Sequence, residues 1–137
     1  MTELAALRAA LSAEQAVVYG YGILGARTRG GDRRRSRSAL NAHLVIRDRL
    51  IALITAAGAN PPAAQPAYRL GIAVTDRASA RELGARLEQG SAGAAWDLIA
   101  ASGPGTAVRA AAISWLADAA MRGESWGARQ ALPGQPS

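Results

Sequence analysis

The sequence predicts an all-α protein, a four-helix bundle with one long crossover between the second and third helices. Three observations predict it. Apolar residues recur at spacings of three and four through four separate segments. No segment alternates apolar and polar residues convincingly over strand length, and the one short candidate, Leu70-Gly71-Ile72-Ala73-Val74, falls in a loop. Two of the three connections are short, and the third is long.

The first helix is expected from about Glu3 to Arg27, where Leu4, Leu7, Leu11, Glu14, Val18, Tyr21 and Gly25 form one face. The second is expected from about Arg33 to Ala57, on the stripe Leu40, His43, Arg47, Leu50 and Ile54. Gly58 is a natural stop, and Pro61-Pro62 forbids continuation. The third starts at Thr75 or Asp76, or one turn later if Ser79 and Glu82 form the capping box. Its stripe is Leu83, Leu87, Gly90, Ala94 and Leu98. The fourth runs from about Thr106 to Met121 or Trp126, with Val108, Ala112, Trp115, Leu116 and Ala119 inward. Residues 1–127 then make the bundle, and 128–137, with Pro133 and Pro136, make a loose tail.

Short links make antiparallel neighbours. The link from Ala59 to Thr75 can extend about 3.3 Å per residue, and a helix of about 25 residues is roughly 38 Å long. It can therefore travel the whole bundle and start the third helix parallel to the second. Two antiparallel pairs joined by one long crossover is the ferritin-like topology.

The composition excludes several functions. The 137 residues are 50% apolar and 19% charged, which suits one globular domain and not a disordered chain. Without cysteine there is no disulfide scaffold, thiol catalysis, zinc finger or iron–sulfur site. With one histidine, no site can use two imidazole ligands, and no hydroxyl–histidine–acid arrangement suggests a hydrolase. No apolar run reaches about 18 residues, and the N-terminus shows no secretory signal, so a cytoplasmic protein without a membrane span is expected. All 16 basic residues are arginines, and the net charge is +6. Aromatic residues interleaved with basic ones, as a single-stranded nucleic-acid platform requires, are not visible along the chain.

Polar residues interrupt the apolar stripes. Glu14 takes a core position in the first helix, His43 and Arg47 in the second. Glu88 edges the third stripe and Asp118 flanks the fourth. At about 1.5 Å per residue, Glu14, His43, Glu88 and Asp118 fall near the middle of the bundle. Isolated buried charges cost several kcal/mol each, of order, so these groups must pair or bind something. One reading is a salt-bridged core of Glu14, His43, Arg47 and Glu88, with Glu14 the partner of Arg47. Another is a metal site for Fe, Mn or Zn at Glu14, His43, Glu88 and Asp118. A third is a polar pocket for a small ligand.

Gly20, Gly22 and Gly25 weaken the first helix by about 1 kcal/mol each against alanine. Close helix packing or a small-residue seam between two copies explains them. They match G-x-G-x-x-G only by spelling, because no strand precedes them. Arg27, Arg29, Arg33, Arg34, Arg35 and Arg37 crowd the first turn. Arg33, Arg34 and Arg35 open a helix, where cations are disfavoured, so Arg33, Arg34, Arg35 and Arg37 are the candidates for binding an anion or nucleic acid.

The run Glu14-Gln15-Ala16-Val17-Val18-Tyr19-Gly20-Tyr21-Gly22, with His43, Arg47-Asp48, Ala67-Tyr68-Arg69-Leu70, Arg86-Leu87-Glu88 and Ala94-Ala95-Trp96, resembles the small actinobacterial ferritin-like proteins grouped as a domain of unknown function. The resemblance covers about Leu4 to Trp126 and implies a ferritin-like four-helix fold with no established activity. Di-iron ferritin-like sites take one Glu from each of two helices and Glu-x-x-His from each of the other two. Here Leu40 stands three residues before His43, and Met121 stands where the fourth helix needs histidine. The sequence therefore points to a non-enzymatic bundle with a degenerate, metal-free polar core and no cofactor, and to a homodimer. The alternatives are a reduced carboxylate/His metal site and an anion or nucleic-acid module at Arg27–Arg37.

Overall fold

The computed structural model describes residues 1–127. Four helices follow one another: α1, Glu3–Arg27; α2, Gly30–Ala56; α3, Arg77–Ala101; and α4, Ala107–Ser125. The expected tail, 128–137, lies outside the described residues. Three helix starts carry the side-chain caps that spare their first amides. The Thr2 hydroxyl accepts from Ala5 N–H at 3.1 Å, and the Thr106 hydroxyl from Arg109 N–H at 3.3 Å. At α3 the capping box is formed by Asp76 and Ser79, not by Ser79 and Glu82, because Asp76 accepts from Ser79 N–H at 2.7 Å while the Ser79 hydroxyl accepts from Asp76 N–H. α2 begins at Gly30, one turn before the expected Arg33, since the link after Arg27 needs only Thr28 and Arg29.

The end of α2 shows why Gly58 matters. Its φ is +79°, its N–H donates to Thr55 C=O at 3.0 Å, and Ala59 N–H donates to Ile54 C=O at 3.2 Å. This pair of bonds is the Schellman closure, and it needs a left-handed residue at Gly58.

α1 packs on both α2 and α3, and α3 packs on α4. Side-chain pairings set the directions. Asp32, early in α2, meets Arg77 and Arg81, early in α3. Leu50 and Ile54, late in α2, share a core with Leu98, late in α3, and with Leu7 and Leu11 of α1. α2 and α3 are therefore parallel, and α1 and α4 run the other way. Residues 57–76 make the return lengthwise along α1. Arg8 donates to Asn60 C=O at 2.6 Å, the buried Gln15 donates to Pro62 C=O at 3.0 Å, and Tyr68 lies against Tyr19 with ring centroids 5.7 Å apart. These contacts climb α1, and the first two satisfy carbonyls that a strandless segment leaves open.

Two apolar clusters fill the interior. The lower one holds Leu7, Leu11, Leu50, Ile54, Leu98 and Ala112. The upper one holds Val17, Leu24, Leu83, Leu87 and Trp126, among others. Glycine lets the upper cluster close. A Cβ on Gly20 would lie 2.6 Å from Leu87, and one on Gly84 would lie 2.4 Å from the Trp126 indole. Gly20 thus serves packing of α1 on α3, whereas Gly22 and Gly25 face open space. Gly84→Ala should drive a methyl into the ring face of a buried Trp126 and cost about 1–3 kcal/mol. A urea midpoint equal to that of the parent would show that the indole can move away.

Candidate functional site

Between the two apolar clusters lies a polar layer, built from all four helices. Its centre is His43, which is fully buried. The α2 positions that face inward are Ala39, His43, Ile46, Leu50 and Ile54, at spacings of three and four. His43 Nδ1 lies 2.6 Å from Glu14 Oε2 of α1. Its Nε2 lies 2.9 Å from Glu88 Oε2 and 3.1 Å from Glu88 Oε1 of α3. Each ring nitrogen faces a carboxylate, so the imidazolium, a donor at both nitrogens, satisfies both.

The two carboxylates have further donors. The Ser91 hydroxyl donates to Glu14 Oε1 at 2.5 Å. Arg122 Nε of α4 donates to Glu88 Oε1 at 2.9 Å, and the Tyr21 hydroxyl donates to Glu88 Oε2. Trp126 Nε1 in turn donates to the Tyr21 oxygen at 3.0 Å. The Tyr21 ring lies nearly parallel to the His43 ring, 5.5 Å away, and Arg35 sits 5.0 Å over the Trp126 ring. Two carboxylates and two cations make a layer of balanced formal charge.

The electrostatics follow from these contacts. Burial alone would lower the pKa of His43, but the hydrogen bonds and charges of Glu14 and Glu88 outweigh it and raise the pKa to about 9. Burial pushes Glu88 up, yet the hydrogen bond and charge of His43, the charge of Arg122 and the Tyr21 hydroxyl hold it below the usual carboxylate range. Burial and the charge of Glu88 raise Tyr21, so its hydroxyl stays protonated and remains a donor.

Among the expected residues, the structure brings Glu14, His43 and Glu88 together. It does not bring Arg47 or Asp118. Arg47 is one residue off the inward stripe, where Ile46 stands, and its guanidinium pairs with Asp48 at 3.0 Å on the outside of α2. The expected Glu14–Arg47 pair is therefore absent, and Glu14 is engaged by His43 and Ser91 instead. Asp118 is exposed because Ala119, its neighbour, takes the inward place on α4. The fourth helix contributes Arg122, a cation, where a metal site needs an acid.

Tyr21, Ser91, Arg122 and Trp126 complete the layer and were not singled out as site residues. A signal existed for Arg122 and Trp126, which continue the inward spacing of Trp115 and Ala119 by three and four residues. Ser91 follows Glu88 by three, and Tyr21 follows Glu14 by seven, two helical turns.

The residues do not fit a ferritin-like metal centre as arranged. The imidazole lies between Glu14 and Glu88, so the two carboxylates and a ring lone pair do not converge on one point. Among the described residues, no three His, Cys, Asp or Glu side chains are grouped to hold a metal ion. Of Arg33, Arg34, Arg35 and Arg37, only Arg35 has a carboxylate partner among the described residues, Asp32 at 2.7 Å.

Comparison with known proteins places the chain. Residues 6–137 match the family model described as a domain of unknown function, DUF4439. The chain belongs to that family. The DUF4439 fold is similar to the crystal structure of a conserved hypothetical protein, rv2844, from Mycobacterium tuberculosis, with a TM-score of 0.84 and 32% identity over 91% of this chain and 94% of that one. No curated protein matches the chain. No helix among the described residues is long and apolar enough to cross a membrane.

Proposed function

We propose that this DUF4439 chain is a non-enzymatic protein of the ferritin-like class, whose polar layer holds four helices in register instead of carrying a metal or a reaction. The engagement of His43 supports this most directly. Its side chain is fully buried, and both ring nitrogens are held by carboxylates. A proton on each leaves no lone pair for a metal and no group free to exchange protons with a substrate. The ferritin-like reading rests on the parallel second and third helices, the long crossover, and polar side chains from four helices at one level. The layer reads as a descendant of a ligand set in which Arg122 and the His43 imidazolium supply the positive charge that metal ions supply elsewhere. We further propose that the protein acts as a cytoplasmic homodimer, with Gly22 and Gly25 as candidates for a close-packed seam between copies.

Elemental analysis tests the central point. Protein purified without chelators should hold no stoichiometric Fe, Mn or Zn. One equivalent of any of them, lost on Glu14→Gln, would overturn the reading in favour of a reduced metal site at Glu14, His43 and Glu88. Light scattering on the same preparation should give the dimer mass.

A further inference from the structure

The fold sorts the charge of the chain onto one end. Below the polar layer, Arg8, Arg47, Arg49 and Arg109 are matched by Glu3, Asp48, Asp97 and Asp118. The layer itself is balanced by His43 and Arg122. Above it, among the described residues, stand ten arginines against four acids, Asp32, Asp76, Glu82 and Glu124. Among the described residues, an excess of six positive charges is therefore carried by the turn between α1 and α2, the first turns of α3 and the end of the crossover. Asp32, buried at this end, is already shared by Arg35, Arg77 and Arg81 at 2.7–3.7 Å. Arg27, Arg29, Arg33, Arg34, Arg37 and Arg69 have no carboxylate partner among the described residues.

A groove that runs along α1 from the level of the polar layer up to this end has an aromatic feature that the chain order hides. Tyr68 of the crossover meets Tyr19 of α1 at 5.7 Å between ring centroids, tilted by 54°. Both rings line this groove of about 550 Å³, and Arg27 and Arg69 line it too. Guanidinium groups hold phosphates by two parallel hydrogen bonds, and tyrosine faces stack bases without regard to sequence. A membrane surface fits less well. None of the exposed large apolar residues, Met1, Leu4, Val45, Trp96, Ile113 and Met121, belongs to the segments that carry these arginines, and interfacial anchoring needs an apolar face.

We propose that the arginine-rich end is a binding surface for single-stranded nucleic acid, with backbone phosphates on Arg27, Arg29, Arg33, Arg34 and Arg37 and a base against Tyr19 and Tyr68. The surface is independent of the buried layer, so it stands or falls apart from the structural role proposed above.

Fluorescence anisotropy with a labelled oligothymidine strand tests it. For about four phosphates held, affinity should fall roughly 50-fold between about 50 and 200 mM salt, following a slope of about −0.7 per phosphate. Arg27→Ala with Arg33→Ala and Arg34→Ala should flatten that slope by about two. Tyr19→Ala should weaken binding about fivefold or more and leave the slope unchanged. Arg47→Ala with Arg49→Ala and Arg109→Ala, at the other end, should change neither. If the triple arginine variant loses its helical circular dichroism, Arg27→Ala and Arg69→Ala, tested singly, carry the comparison. No binding at low salt overturns the proposal, as does equal weakening by the other-end variants. Binding to phosphatidylglycerol vesicles but not to the strand would assign the surface to membranes and overturn it. Competition by low inorganic phosphate would reduce it to a single-anion site and overturn it too.

Discussion

Replacing Glu88 with alanine should cost roughly 3–5 kcal/mol of folding stability and lower Tm by on the order of 10–20 °C. Glu88 is 1% exposed and accepts from three side chains on three helices, namely His43, Arg122 and Tyr21. Its removal leaves the Arg122 guanidinium facing nothing. Arg122 Nη2 already has no hydrogen-bond partner among the described residues, so Nε to Glu88 is the bond that compensates its burial. An arginine cannot escape by losing its proton, as a lysine could. The cost therefore comes from orphaned cations more than from lost packing. Glu88→Gln keeps the shape and part of the hydrogen bonding, and should cost less. Arg47→Ala provides the contrast. Its partner Asp48 is exposed, and the pair should be worth no more than about 1 kcal/mol. Chemical denaturation of the three variants checks this order. Equal midpoints for Glu88→Ala and Arg47→Ala would mean that water or a rearranged side chain replaces the carboxylate.

The helices and their directions were legible because each depends on local chemistry. Thr2, Asp76 and Thr106 are capping residues that act within three or four positions, and Gly58 with Pro61-Pro62 ends α2 by conformation alone. The parallel course of α2 and α3 followed from the reach of the crossover. Glu14, His43 and Glu88 stood out because charge within an apolar stripe is costly wherever the stripe is buried. What failed was angular resolution. Adjacent residues on a helix point about 100° apart, and Arg47 and Asp118 each sit one residue away from the buried position, Ile46 and Ala119. Arg122 was missed for the complementary reason. It lies on the inward spacing of Trp115 and Ala119, but a charged residue near a helix end is ordinarily solvated, and here its long stem carries the guanidinium in to Glu88. The Tyr19–Tyr68 pair was invisible because it joins α1 to a segment without periodicity, placed by carbonyl contacts to Arg8 and Gln15 and by Leu70, Ile72 and Val74 against the upper cluster.

Stability should fall as pH rises from about 6.5 to 9, by about 3 kcal/mol in all. In the folded protein His43 has its pKa raised to about 9 by Glu14 and Glu88, against an ordinary value of 6.5 in the unfolded chain. Between these values the folded state binds a proton that the unfolded state releases. The contribution is therefore fully present below 6.5 and lost as pH passes through 9. Glu88 works in the opposite direction at the acid end. Its folded pKa is lowered, so its contribution is present above the ordinary carboxylate range and lost as pH falls through the folded value. Maximal stability should lie between the two limbs, near pH 5–6. The alkaline limb is unusually clean in this chain. There is no lysine and no cysteine, arginine stays charged, and burial keeps Tyr21 protonated. His43 is the side chain whose shift spans this range. Urea midpoints measured across pH 6–9.5 should trace one proton, and His43→Gln, though less stable, should flatten the curve over the same range. A parent protein whose midpoint stays constant to pH 9 would show that His43 is neutral in the fold. The layer would then bind no proton beyond those of the unfolded chain, because a proton held anywhere in it would be lost over the same range and would give the same fall.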